Sequence, residues 1–147
     1  MLVLYWIPSS RDELRSSDLM TSRELAEAAG DCVSLQIIRP EDAERLETLR
    51  GSSPLPFAVL TDGNGRELAR VDSTKGRLPA GALAALIQDE LMARSKEADR
   101  LLLDARKRQT AGDWSGAIEL CQLVQAGGCT IPRQSKSASK LLRKLRR

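Results

Sequence analysis

The chain has 147 residues, of which 41% are hydrophobic and 29% are charged. This composition predicts one ordinary folded core with a small helical appendage. The chain contains no histidine, which is the commonest general base and the commonest zinc ligand, so hydrolytic triads and ordinary catalytic zinc sites are not expected. We predict neither a cofactor nor a metal ion.

The three cysteines, Cys32, Cys121 and Cys129, are an odd number without Cys-x-x-Cys spacing. This pattern argues against a disulfide framework and fits a reducing compartment. The first apolar run, residues 1–7, is too short to span a membrane, and neither a basic segment before it nor a small-residue cleavage site after it marks a signal. We expect a soluble, cytoplasmic protein without a transmembrane segment, although a chain whose signal had been removed would look the same.

The net charge of +3 is unevenly distributed along the chain. Residues 131–147 contain seven basic residues and no acid, and the remainder has 16 basic residues against 20 acidic ones. The body is therefore mildly acidic and the C-terminal tail strongly basic.

The N-terminal half predicts alternating strands and helices. The continuous apolar run Leu2–Ile7 is typical of a central strand that is buried on both faces. Ser10, with Glu13 three residues later, predicts a capped helix that extends towards Gly30, with a break near Ser16 and Ser17. Residues 32–37 alternate between apolar and polar and predict the second strand, joined to the first by a right-handed parallel crossover.

A second helix is predicted from Pro40, as its first residue, to Gly51. Asn64-Gly65 then separates two apolar runs and predicts a β-hairpin with a type I′ turn, which needs positive φ at both central positions. A third helix begins at Pro79 and has apolar residues at helical spacing as far as Leu91. The predicted order is βαβαββα.

Over residues 1–92 this order resembles the thioredoxin-like family, an α/β three-layer sandwich. The resemblance also rests on Leu55-Pro56-Phe57, which precedes a Val-Leu strand and an Asp-Gly-Asn-Gly turn. It implies that Pro56 is the family's cis-proline, with Pro54 as the less favoured candidate.

The resemblance ends where the family carries its redox motif. Pro8, Ser9, Ser10 and Arg11 occupy the start of the first helix, where the family's nucleophilic cysteine has its pKa lowered by helix-terminal N–H groups. A serine hydroxyl cannot exchange with a disulfide, so thioredoxin-type activity is not expected. We interpret Ser9 and Ser10 as helix caps; the alternative is a nucleophile that lacks a base.

The cysteines leave two interpretations open. Cys32 lies on the predicted second strand, as a small buried apolar residue or as a lone redox-active thiol. Cys121 and Cys129 can pair only if the fold brings their Cα atoms within about 6 Å.

Residues 93–130 predict two helices joined by a tight turn. The segment Ala111-Gly112-Asp113-Trp114, followed by Ala117-Ile118, resembles a single tetratricopeptide repeat, without the repeat's usual first-helix tryptophan and without a following repeat. A lone helical hairpin cannot bury its apolar face by itself, so it must pack on another element or another chain. Trp114 at the turn is a packing anchor or a partner contact.

Residues 131–147 predict a basic amphipathic tail. Its leucines lie on one side, and its partner-binding candidates surround them: Lys140, Arg143, Lys144, Arg146 and Arg147. Such a tail is solvated or packed on the hairpin, or it binds an acidic protein, nucleic acid or an anionic lipid surface. Base stacking is poorly supported, because the tail has no aromatic residue.

We therefore expect a non-catalytic interaction or scaffold protein. It would have a thioredoxin-like domain (1–92), a helical hairpin (93–130) and a basic tail (131–147), and would dock on a larger protein assembly through the hairpin and tail. The alternatives are an atypical thiol redox or chaperone protein that uses Cys32 or a Cys121/Cys129 pair, and a nucleic-acid or anionic-surface binder.

Overall fold

A computed structural model describes residues 1–39, 41–51, 53–73 and 75–147. The chain forms two compact units, Met1–Gln88 (unit 1) and Asp89–Arg147 (unit 2). The predicted mixed α/β class is confirmed. The elements in chain order are β1 (Leu2–Ile7), α1 (Arg11–Ser16), α2 (Arg23–Ala29), β2 (Val33–Ile37), α3 (Ala43–Arg50), β3 (Phe57–Thr61), β4 (Glu67–Asp72), α4 (Ala80–Thr110), α5 (Trp114–Ala126) and α6 (Pro132–Leu145).

The strands of unit 1 form one sheet in the order β2-β1-β3-β4. β1 pairs in parallel with β2 and antiparallel with β3, which in turn pairs antiparallel with β4. β1 is therefore central, as its apolar run predicts. All five residues of β3 are buried, which is the pattern of a strand covered on both faces.

The first predicted helix is divided in two. α1 ends at Ser16, and α2 begins after Ser22, whose side chain accepts a hydrogen bond from the backbone N–H of Leu25 at 3.1 Å. Gly30 ends α2 with φ of +52°, a conformation that a residue without Cβ adopts easily. The predicted break and the glycine stop are both confirmed.

The second predicted helix begins later than expected. Asp42 is the N-cap of α3, and its carboxylate accepts from the backbone N–H of Arg45 at 3.4 Å. A side-chain cap at this position begins the helix at Ala43 rather than at a proline. Pro40, the predicted first helical residue, lies outside the described residues.

The predicted hairpin is present, but its predicted type I′ turn is wrong. Gly65 has φ of +82°, whereas Asn64 is not among the described residues with positive φ. The carboxylate of Asp62 instead organises the loop, because its Oδ1 accepts from the backbone N–H groups of Asn64 and Arg66, each at 2.9 Å. Hydrogen bonds from the backbone to the side chain of a preceding aspartate therefore take the place of the two-residue turn.

Unit 2 consists of the C-terminal part of α4 with α5 and α6. α4 runs unbroken through the predicted boundary at residues 92 and 93, and the units divide instead between Gln88 and Asp89. The three helices share one apolar core, to which four alanines contribute. Small residues let helices approach closely and interdigitate. The core residues are Ala98, Leu102, Ala105, Ala117, Cys121, Val124, Ile131, Ala138, Leu141, Leu142 and Leu145.

The basic tail is part of this core rather than a separate segment. α6 buries its apolar side, with Leu142 only 3% exposed and Ala138 fully buried. Of the alternatives left open by the sequence, packing of the tail on the hairpin is therefore the one observed.

Candidate functional site

The serines at the start of α1 cap the helix. Ser10 is the N-cap, and its Oγ accepts a hydrogen bond from the backbone N–H of Glu13 at 3.2 Å. The carboxylate of Glu13 accepts from the hydroxyl of Ser9 at 2.9 Å and from its backbone N–H. In a standard capping box this carboxylate would bond the N-cap residue itself. Of the neighbouring residues, Pro8 is buried and Arg11 forms an exposed ion pair with Glu41 at 3.4 Å.

A cavity of about 730 Å³ lies beside these serines within unit 1. Its lining contains three carboxylates and one guanidinium, and no cysteine is among the described lining residues. A thiol is required to exchange with a disulfide, so these lining groups do not provide that chemistry. The lining residues are Ser9, Asp12, Glu13, Ser16, Ser17, Asp18, Gly76, Arg77, Leu78 and Pro79.

One proline and one cysteine complete the sequence-predicted sites of unit 1. The Leu55–Pro56 peptide bond is cis, the isomer that the resemblance implies for Pro56. Cys32 is 8% exposed and carries no free thiol. The interpretation of Cys32 as a lone redox-active thiol is therefore corrected, because a thiolate is the nucleophile in that chemistry.

Cys121 carries a free thiol in the core of unit 2 and is completely buried. Burial raises the pKa of this thiol, because the charged thiolate is poorly solvated in an apolar environment; nearby Arg106 opposes the shift. Since Cys121 is free, the Cys121/Cys129 pair of the alternative interpretation is not formed. An inaccessible protonated thiol is typical of a structural cysteine.

The turn between α4 and α5 is held by Asp113. Its carboxylate accepts from the backbone N–H of Gly116 at 2.9 Å and forms an ion pair with Arg108 at 3.0 Å. These two bonds, in that order, lower the pKa of Asp113. Trp114 follows at the first position of α5 and is 51% exposed, so both partner contact and packing remain predictions for it.

The cations of the C-terminal helix lie on its solvent side. The partner-binding candidates Lys140, Arg143, Lys144, Arg146 and Arg147 are all exposed. Arg133 and Lys136, which the sequence-based set leaves out, are exposed as well. The signal for these two is their spacing, because positions 133, 136, 140 and 143 or 144 repeat at intervals of three and four residues and so share one helix face.

We define the basic face as Arg133, Lys136, Lys140, Arg143 and Lys144. Arg133 forms an ion pair with Asp99 at 3.7 Å, and its side chain is 79% exposed. Within the described part of the chain, the other four cations have no ion-pair partner. The face is therefore a set of solvated positive charges at fixed positions on a packed helix.

A buried glutamine positions this face. Gln134 is only 3% exposed, and its Nε2 donates to the Oγ of Ser95 at 2.7 Å and to Oδ1 of Asp99 at 3.1 Å. Both acceptors lie on α4, so the contact joins α6 to α4 in unit 2. Sequence reasoning missed Gln134, because a glutamine beside exposed basic residues carries no burial signal of its own.

Comparison with protein-family models and with curated protein sequences found no match to this chain.

In the described part of the chain, no group of three His, Cys, Asp or Glu side chains is placed to bind a metal ion. Among the described residues, no helix has both the length and the apolar character needed to cross a membrane.

Proposed function

We propose that this chain is a non-catalytic, thioredoxin-like interaction protein that docks on a larger assembly through unit 2. The sheet order β2-β1-β3-β4 supports the thioredoxin-like assignment of unit 1. The serines at the start of α1 act as caps, which supports a loss of the family's redox chemistry.

The basic face carries the docking part of the proposal. Lys136, Lys140 and Lys144 follow one another at four-residue intervals, so each neighbouring pair of like charges destabilises the helix by about 0.2–0.5 kcal/mol. No acidic residue of α6 offsets this repulsion, and of the three lysines only Lys144 lies in the last turn, where the helix dipole favours a cation. A row of cations that lowers the stability of its own helix is better accounted for by an external anionic partner.

The proposal is tested by sedimentation of the tagged full-length chain from a lysate of its native cells. The parent should sediment faster than a 16.1 kDa monomer. The triple variant Lys136→Gln, Lys140→Gln and Lys144→Gln should shift towards the monomer.

A matched control removes the same number of charges from exposed sites outside α6, as Arg23→Gln, Arg66→Gln and Arg100→Gln. This control should sediment as the parent does. A parent that sediments as a monomer, or equal sedimentation of all three proteins in the larger fraction, would contradict docking through the basic face.

A further inference from the structure

The chemistry of the basic face restricts what it can bind. Its five side chains are all cationic and exposed, and α6 contains no carboxylate. The ligand must therefore be anionic over the length of the helix. A rise of about 1.5 Å per residue gives the face a length of roughly 16 Å between positions 133 and 144.

The face lacks the groups that insert into a membrane. An amphipathic helix binds a bilayer by burying its apolar side among the lipids. In α6 that side consists of Leu141, Leu142, Leu145 and Ala138, and it is already buried in the core of unit 2. Insertion would require α6 to leave this core.

The composition of the basic face also differs from that of a protein interface core, because the face has no aromatic residue and its two arginines, Arg133 and Arg143, are exposed. Binding energy between proteins concentrates in buried aromatic and arginine anchors at the centre of the contact, and lysine is depleted there. Three of the five residues of the basic face are lysines. No large exposed apolar side chain lies on α6 among the described residues.

A nucleic-acid duplex is the anionic partner that best fits the basic face. It carries about one negative charge per 1.7 Å of its axis, and lysines and arginines bind its phosphates without apolar contacts. Single strands are bound with aromatic side chains on which the bases stack, and the described part of α6 has none. The regular spacing of a packed helix is better suited to a stiff, regular polyanion.

We infer that the basic face of α6 binds the phosphate backbone of a nucleic-acid duplex without sequence selectivity. This inference rests on the proposed docking function and names its partner class. The cations neutralise phosphates and release condensed counterions, so the affinity depends steeply on salt. Contacts to phosphates carry no sequence information, so no base is read.

The test uses the full-length chain and fluorescently labelled 20-base-pair DNA and RNA duplexes of two unrelated sequences, with anisotropy as the readout. Four to five phosphate contacts predict a fall in affinity of roughly 100- to 500-fold between 50 and 200 mM salt. The two sequences should bind equally. Replacing Lys136, Lys140 and Lys144 by glutamine should flatten the slope of log affinity against log salt by about 3.

The control triple variant at Arg23, Arg66 and Arg100 should keep the parent's salt slope. This result would show that the salt dependence comes from the basic face and not from the net charge of the chain. Circular dichroism should show that both variants remain helical. Equal loss of binding in the two variants would contradict the inference, as would a parent that does not bind either duplex at 50 mM salt.

Competing partners are measured in the same buffers with poly-glutamate and with vesicles rich in anionic lipid. Tighter binding of either than of the duplexes would overturn the inference in favour of an acidic protein or a membrane surface. Nuclease treatment of the lysate then separates the two proposals. If the large sedimenting species survives nuclease and still requires the three lysines, docking stands and the duplex inference fails.

Discussion

The Nε2 of Gln134, on α6, donates a hydrogen bond to the Oγ of Ser95, on α4, across 2.7 Å. The glutamine is 3% exposed, and its immediate neighbour in the chain is Arg133 of the basic face. Gln134 therefore belongs to the core of unit 2, and Arg133 belongs to its surface. The bond joins α6 to α4 on the side of the helix that buries its leucines, and the cations face the solvent.

We expect Gln134→Ala to lower the free energy of unfolding of unit 2 by about 1–3 kcal/mol, because it removes the hydrogen bonds to Ser95 and to the charged Asp99. Hydrogen exchange of the α5 and α6 amides, followed by mass spectrometry, measures the effect in this unit. Gln125→Ala is the matched control, since Gln125 bonds Ser139 at an exposed site. Equal effects of the two substitutions would show that the burial of Gln134 does not increase its contribution to the stability of unit 2.

The tail is expected to be necessary for the stability of unit 2. Leu142 is 3% exposed within the shared core, so Leu142→Ala should destabilise the unit by about 2–5 kcal/mol. Deletion of residues 133–147 should abolish its cooperative unfolding. Leu103→Ala, at a side chain that is 54% exposed, should change the denaturation midpoint little. A truncated chain that keeps parent-like hydrogen-exchange protection in α5 would contradict this prediction.

The turn at Asp113 predicts a dependence of stability on pH. The hydrogen bonds from Gly116 and Arg108 lower the pKa of Asp113 in the folded protein. Its contribution to stability is therefore present above the ordinary aspartate pKa of about 3.9 and is lost as the pH falls through the lower folded value. Asp113→Ala should reduce thermal stability at neutral pH, and its difference from the parent should shrink in acid.

Asp89→Ala is the control for this measurement. Asp89 is an exposed aspartate of α4 with no hydrogen bond or ion pair among the described residues. Its substitution should leave thermal stability nearly unchanged at every pH. A difference between Asp113→Ala and the parent that stays constant down to strongly acidic pH would mean that the carboxylate is not responsible.

The buried thiol of Cys121 should be unreactive in the folded chain. Burial raises its pKa, so the thiolate that attacks aromatic disulfide reagents is scarce near neutral pH. We expect slow labelling in buffer and rapid labelling in denaturant, with Cys121→Ala as the control that removes the signal. The raised pKa also favours the folded state at neutral pH, and this contribution is lost as the pH rises through the folded value.

The absence of Cys-x-x-Cys predicts that the chain does not reduce insulin above the background rate. The start of α1 carries serines, and the hydroxyl of Ser10 caps the helix. The assay should be unchanged by Ser9→Ala and by Cys121→Ala. Turnover that either substitution abolishes would favour the enzymatic alternative.

Local patterns in the sequence were sufficient for the elements themselves. The continuous apolar run of residues 2–7 predicted a central strand, because only a strand covered on both faces buries every side chain. Gly30 predicted the end of α2, since its positive φ is a property of the residue and its immediate neighbours. These predictions depend on interactions within a few residues, which a sequence shows directly.

The sequence by itself also determined that α6 is amphipathic and that its tail is basic. Only the tertiary structure decided what covers its leucines, because a periodic pattern marks a face for burial without naming the surface that buries it. Leu141, Leu142 and Leu145 are buried in the core shared with α4 and α5, which leaves the cations as the exposed side. The contact of Gln134 with Ser95 spans 39 positions of the chain, and such a non-local pairing follows only from the packing of whole helices.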